Sequence, residues 1–172
     1  MGAWRVSLLG LMLTLAACGG PDERDYFSEG RYDAALKHLP IRAEAGNATA
    51  WNQLGIMHYL GLGTAVNYRE AARCFKAGAL AGDPHAMRNL GSMFRQGLGV
   101  PHDDIRAFGW YDAARQHGND GATGYMQLMA QYVGWNQQEY ARRIVAGDLE
   151  KKSVSDCGEG LLMSACPAET PN

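Results

Sequence analysis

The chain has 172 residues, 47% hydrophobic and 20% charged, which is enough apolar content for one domain with a buried core. Its formal charge of −2 leaves no basic footprint for nucleic acid or anionic lipid. The 22 glycines recur at fixed intervals and form no low-complexity tract, so they act as structural punctuation.

Residues 1–17 carry one positive charge at Arg5, an apolar run over 6–15, and small residues at Ala16 and Ala17. The run is shorter than the roughly 20 residues that span a bilayer, and it reads as the apolar region of a signal peptide. Leu15-Ala16-Ala17-Cys18 resembles the lipobox of bacterial lipoproteins, which implies cleavage before Cys18 and acylation of its thiol and new amine. Several acyl chains anchor far more firmly than one. Gly19 stands where inner-membrane retention usually wants Asp, so the resemblance implies the periplasmic face of the outer membrane in a Gram-negative cell. Residues 18–25 then form a lipidated tether containing Pro21.

The body of the chain, 26–150, is organised by a stretch written twice. Residues 47–82 and 83–118 share ten identities at an offset of 36: Ala50/Ala86, Leu54/Leu90, Gly55/Gly91, Met57/Met93, Gly61/Gly97, Leu62/Leu98, Gly63/Gly99, Ala71/Ala107, Ala77/Ala113 and Gly82/Gly118. Repeats of this length are helical hairpins that bury their apolar faces against copies of themselves. Residues 26–46 read as a partial first copy, with Asp33 as N-cap of a helix over 34–45 that Pro40 kinks or breaks. Asn47 caps the next helix, whose Ala50, Leu54, Met57 and His58 share one face. Asn67 with Glu70 forms a capping box for its partner helix, and Asp83-Pro84 restarts the pattern. A third copy occupies 119–147, with Ala122 and Met126 in register. Asn136 and Glu139 cap a closing helix over 137–146 that stops at Gly147.

Ala86, Leu90, Gly91, Phe94, Gly97, Gly99, Val100, Asp103, Ala107, Trp110, Tyr111, Ala113 and Gly118 carry a pattern that resembles the Sel1-like repeat, a relative of the tetratricopeptide repeat. The first full copy departs from it at His58, Ala65 and Cys74-Phe75. The resemblance implies an all-α fold, a short right-handed α-solenoid of stacked antiparallel helix hairpins. It also implies adaptor-like protein binding on a concave surface lined by the first helix of each hairpin.

First-helix positions that differ between copies are the candidate partner-binding residues: Trp51, Asn52, Tyr59, Met87, Arg88, Arg95, Gln127 and Gln131. Trp, Tyr, Met and Arg are the types enriched where interfaces desolvate, although Trp51 and Met87 could equally pack between neighbouring hairpins. Of the four cysteines, Cys18 is expected to be lipidated. Cys74 occupies the Trp110 slot and is expected to be a buried free thiol. Cys157 and Cys166 are expected to pair in the 151–172 tail, capping the end of the array. His38, His58, His85, His102 and His117 are scattered without metal-ligand spacing, so no metal or other cofactor is expected. Neither Gly-x-Ser-x-Gly nor Ser-x-x-Lys occurs, and no phosphate-cradling loop follows a strand. The expected function is therefore non-enzymatic: a monomeric, lipid-anchored periplasmic protein that binds another protein and no nucleic acid. Two roles stay open. One is an immunity protein neutralising a delivered antibacterial toxin such as a phospholipase; the other is an envelope scaffold or a regulator of secretion, polysaccharide export or cell-wall assembly.

Overall fold

A computed structural model describes residues 25–155, and among these the regular structure is entirely helical. The order is α1 (Tyr32–Glu44), α2 (Ala48–Leu60), α3 (Tyr68–Leu80), α4 (Pro84–Gln96), α5 (Asp104–Gln116), a 3₁₀ turn (Asp120–Ala122), α6 (Thr123–Ala130) and α7 (Trp135–Ser155). The hairpins α2–α3 and α4–α5 stack through α3 against α4, giving an α-solenoid. Cys18, Cys157 and Cys166 lie outside the described residues, as do 1–24 and 156–172 as a whole.

The two full repeats are built by the same local devices. The side-chain oxygens of Asn47, Asn67, Asp83 and Asp103 accept from Ala50, Glu70, Ala86 and Arg106 N–H at 3.0, 3.1, 2.7 and 2.9 Å. Each satisfies a helix-start donor that has no partner within the helix. At the other end α2 and α4 turn off at Gly61 (φ 72°) and Gly97 (φ 67°), a left-handed backbone that glycine adopts without strain. The following loop is then pinned identically, by Asn67 N–H to His58 O at 2.8 Å and Asp103 N–H to Phe94 O at 3.0 Å.

Several expectations are corrected. Arg31, not Asp33, precedes α1, and the helix continues through Pro40. Proline removes one backbone bond there, yet Ala35, Leu39 and Ala43 at spacings of four are buried and hold the helix together. The closing helix begins at Trp135, so Asn136 lies inside it; Gln137 Oε1 instead accepts from Gly134 N–H at 3.2 Å. That helix also runs past Gly147 to Ser155. A glycine ends a helix only where the backbone turns left-handed, and here Leu149, Glu150 and Lys151, all good helix formers, carry it on.

Cys74 departs from expectation as well. It is fully buried among Leu39, Trp51 and Leu54, as expected, but it is disulfide-bonded and not a free thiol. Its partner lies outside the described residues, where the chain's other cysteines, Cys18, Cys157 and Cys166, all fall.

The last hairpin departs from the pattern of the first two. α6 packs on α5, but α7 turns away from α6, lies along α5 and reaches α3. Two substitutions relative to the first repeat make this possible. At the position of exposed Arg73 stands Gly109, where an added Cβ would lie 2.7 Å from Ala141 O and 2.8 Å from Val145 Cγ2. At the position of exposed Lys76 stands Asp112, only 1% exposed. Its Oδ1 accepts from Arg115 Nη2 at 2.9 Å, and its Oδ2 from Arg142 Nε of α7 at 3.0 Å and Gln116 Nε2 at 2.8 Å. Burial alone would raise the Asp112 pKa. The hydrogen bonds from Arg115, Arg142 and Gln116 and the charge of Arg142 outweigh it, holding the carboxyl below its usual range.

Candidate protein-binding face

α2 and α4 meet side by side, whereas α3 and α5 hardly touch. The first helices therefore lie on the inside of the curve and the second helices on the outside, where α7 covers part of the surface with Val145 and Leu149 against Trp110. The 36-residue register lines up α2, α4 and α6. Asn52, Arg88 and Gly124 correspond, as do Ile56, Ser92 and Leu128, and Tyr59, Arg95 and Gln131.

Direct contacts tie these strips together. Asn89 Nδ2 donates to Asn52 Oδ1 at 2.9 Å, bridging α4 to α2. Ser92 Oγ and the Tyr111 hydroxyl are 3.0 Å apart, and Tyr125 of α6 stacks on the Tyr111 ring at 5.3 Å. The repeat boundaries are held likewise. Thr49 Oγ1 donates to Asp83 Oδ2 at 3.1 Å, and Asn119 Nδ2 donates to Pro84 O at 3.1 Å. The inner face is thus one connected surface whose geometry the repeats pre-set.

Charge is partitioned between the two sides. Across α2, α4 and α6 the only Asp, Glu, Lys or Arg residues are Arg88 and Arg95. The outer helices α1, α3, α5 and α7 carry many charges of both signs. Beside the two arginines, Tyr125, Leu128 and Tyr132 are exposed, Tyr132 by 71%. A surface depleted in charge, with aromatic residues and arginine, has the composition of an interface core.

The Sel1 repeat model matches residues 50–83 and 84–119. Residues 50–119 are therefore two Sel1-like repeats. Over 96 residues it is 38% identical to protein sel-1 homolog 2 of Rattus norvegicus, covering 54% of this chain and 14% of that one. Over 111 residues it is 32% identical to the ERAD-associated E3 ubiquitin-protein ligase component HRD3B of Arabidopsis thaliana, covering 64% and 18%. The chain thus spans less than a fifth of the length of these relatives. In fold it is similar to the crystal structure of a protective antigen present in uropathogenic Escherichia coli strains that displays an SLR fold. That match has a TM-score of 0.66 at 22% identity over 86% of this chain and 32% of that one.

The predicted partner-binding residues of this Sel1-like array separate into two groups. Trp51 (4% exposed), Met87 (0%) and Asn52 (8%) are buried. Trp51 and Met87 pack between hairpins because stacking, not a partner, desolvates them, and Asn52 is occupied by Asn89. Arg88, Arg95 and Tyr59 are half-buried on the inner side, with Tyr59 edge-on to Tyr68 at 5.5 Å, while Gln127 and Gln131 are exposed. Tyr125, Leu128 and Tyr132 were not singled out from the sequence, although register alone places Leu128 opposite Ser92.

His58 fills the slot where the repeat pattern has an aromatic residue. It is buried, with Nδ1 unpartnered. Burial lowers its pKa below 6.5, and the nearby Glu70 carboxylate, which acts to raise it, only partly compensates. A depressed histidine pKa leaves stability intact above the unfolded value of 6.5. Stability is then lost as pH falls below it, because only the unfolded chain readily takes the proton. Melting temperature is expected to drop between about pH 7 and pH 5 in the wild type and to drop less in His58→Phe. Equal slopes in the two proteins would contradict this reading.

Proposed function

We propose that this Sel1-like protein is a non-enzymatic binding module that holds another protein on the inner face of α2, α4 and α6. The observation that carries this is the partition: α7 covers part of the outer side, while the inner side is left open, nearly uncharged and rich in aromatic residues. The Arabidopsis relative's name describes a component of a ubiquitin ligase, which fits a repeat array used for assembly.

We propose further that the protein is anchored through acylated Cys18 at the periplasmic face of the outer membrane. The buried disulfide at Cys74 supports an oxidising compartment. With Cys18 acylated, Cys74 pairs with Cys157 or Cys166, which ties the C-terminal tail to α3 and displaces the expected Cys157–Cys166 bond. A non-reducing peptide map of protein purified from its own envelope is expected to show Cys74 joined to a peptide from 157–172. A Cys74–Cys18 linkage would contradict the lipid anchor.

Within that setting the favoured role is immunity against a delivered toxin, with an envelope scaffold as the alternative. Affinity capture from the producing cells, followed by mass spectrometry, separates them. One stoichiometric partner bound at nanomolar affinity supports immunity. Several envelope proteins at low occupancy support a scaffold, and no retained protein would sink the binding proposal itself.

A further inference from the structure

We infer that the inner face recognises an acidic, apolar-anchored segment of its partner, with carboxylates on Arg88 and Arg95 and apolar side chains against Tyr125, Leu128 and Tyr132. This rests on the inner face being the binding surface and adds the chemistry of what it takes. Arg88 and Arg95 stand two turns apart on one side of α4, about 10 Å along the helix axis. Among the described residues neither meets a carboxylate within 4 Å, in contrast to Arg73, Arg106, Arg115 and Arg142 on the outer helices, each of which does. The guanidinium of Arg88 has only a 3.5 Å approach to Asn89 Oδ1, and Arg95 Nε is buried without a hydrogen-bond partner.

A buried donor left unmade is costly, and a carboxylate arriving in the plane of the guanidinium supplies the missing bonds two at a time. Neighbouring strips reinforce the choice. α2 and α6 contribute no Asp or Glu that would repel an acidic segment. Asp25 borders the far side of α2, where its carboxylate accepts from Gln53 Nε2 at 3.3 Å, so acidic side chains are favoured toward α4 and α6. Two guanidinium groups on a chain of net charge −2 make too small a footprint for a nucleic-acid backbone.

The test is selection of a random 12-residue phage-displayed peptide library on the purified full chain, followed by titration of the selected peptides as synthetic molecules. Selected sequences are expected to carry two or more Asp or Glu beside aromatic or aliphatic residues. Their affinity is expected to fall at least about tenfold in Arg88→Gln/Arg95→Gln and to weaken with added salt. Circular dichroism of the variant should match the wild type. Peptides without carboxylates that are lost on Leu128→Asp would overturn the acidic inference while leaving the inner face as the binding surface. A selection yielding no binder, or binders indifferent to both variants, would overturn both.

Discussion

Replacing Gly109 with Arg is expected to release α7 from the array and lower the melting temperature by about 10–20 °C. An added Cβ there meets the Ala141 carbonyl at 2.7 Å and Val145 Cγ2 at 2.8 Å, and a backbone oxygen cannot rotate away as a side chain can. The clash is relieved only by lifting α7. That exposes Val145, worth about 1.5–3 kcal/mol of burial, and breaks the charged hydrogen bond from Arg142 to Asp112, worth a further 1.5–3 kcal/mol or so. At roughly 2–4 °C per kcal/mol for a chain of this size, a loss of about 3–6 kcal/mol gives a shift of that order. Arg is the informative choice because Arg73 holds the equivalent position on α3, where it is exposed. Because solenoid repeats contact only their neighbours, protease should cut within 135–155 while α2–α5 stay resistant. Unchanged melting and protease resistance would show that α7 is not docked as described.

Gly91→Leu is expected to disrupt the α4–α5 pair, and the comparison with Gly91→Ala separates sterics from propensity. The added Cβ would sit 3.0 Å from two carbons of the Tyr111 ring and 3.2 Å from Ala107 O. For alanine that strain is offset by about 1 kcal/mol of helix propensity, so little net change is expected. Leucine's branched end must enter space filled by fully buried Tyr111, which itself holds Ser92 and Tyr125. Overpacking of this kind costs about 1–3 kcal/mol even where the core can adjust. Here the neighbour is a ring fixed at both ends, so about 3–5 kcal/mol is expected. A Leu variant melting with the wild type would contradict the packing.

The repeat devices were legible in the sequence because they are local. Asn47, Asn67, Asp83 and Asp103 act on amides three residues away, and Gly61 and Gly97 end helices within one turn. What was not legible depends on distant parts of the chain. Gly147 looked like a stop, but only the docking of α7 on α5 decides that the helix continues. Cys74 looked like a free thiol because its partner is remote in sequence. Trp51 and Met87 varied between copies in the manner of surface residues, yet the variation adapts each hairpin to its neighbour. The inner strip of α6 was overlooked because its helix is only 8 residues long and matches the pattern loosely, although Tyr125 and Leu128 sit three residues apart on it and Tyr132 follows just past its end. Gly109 and Asp112, standing where the first repeat has Arg73 and Lys76, were the readable sign that a helix would cover the second repeat's outer side.

Photo-crosslinking in the producing cell tests most directly whether the inner face is where a partner binds. A benzophenone amino acid is placed at Ser92 or Leu128 on the inner side, or at Arg69 or Arg143 on the outer helices, each in the full chain. A discrete crosslinked partner is expected from Ser92 and Leu128 and from neither outer position. Crosslinks from the outer positions alone, or none from the inner ones, would contradict the inner face as the binding surface.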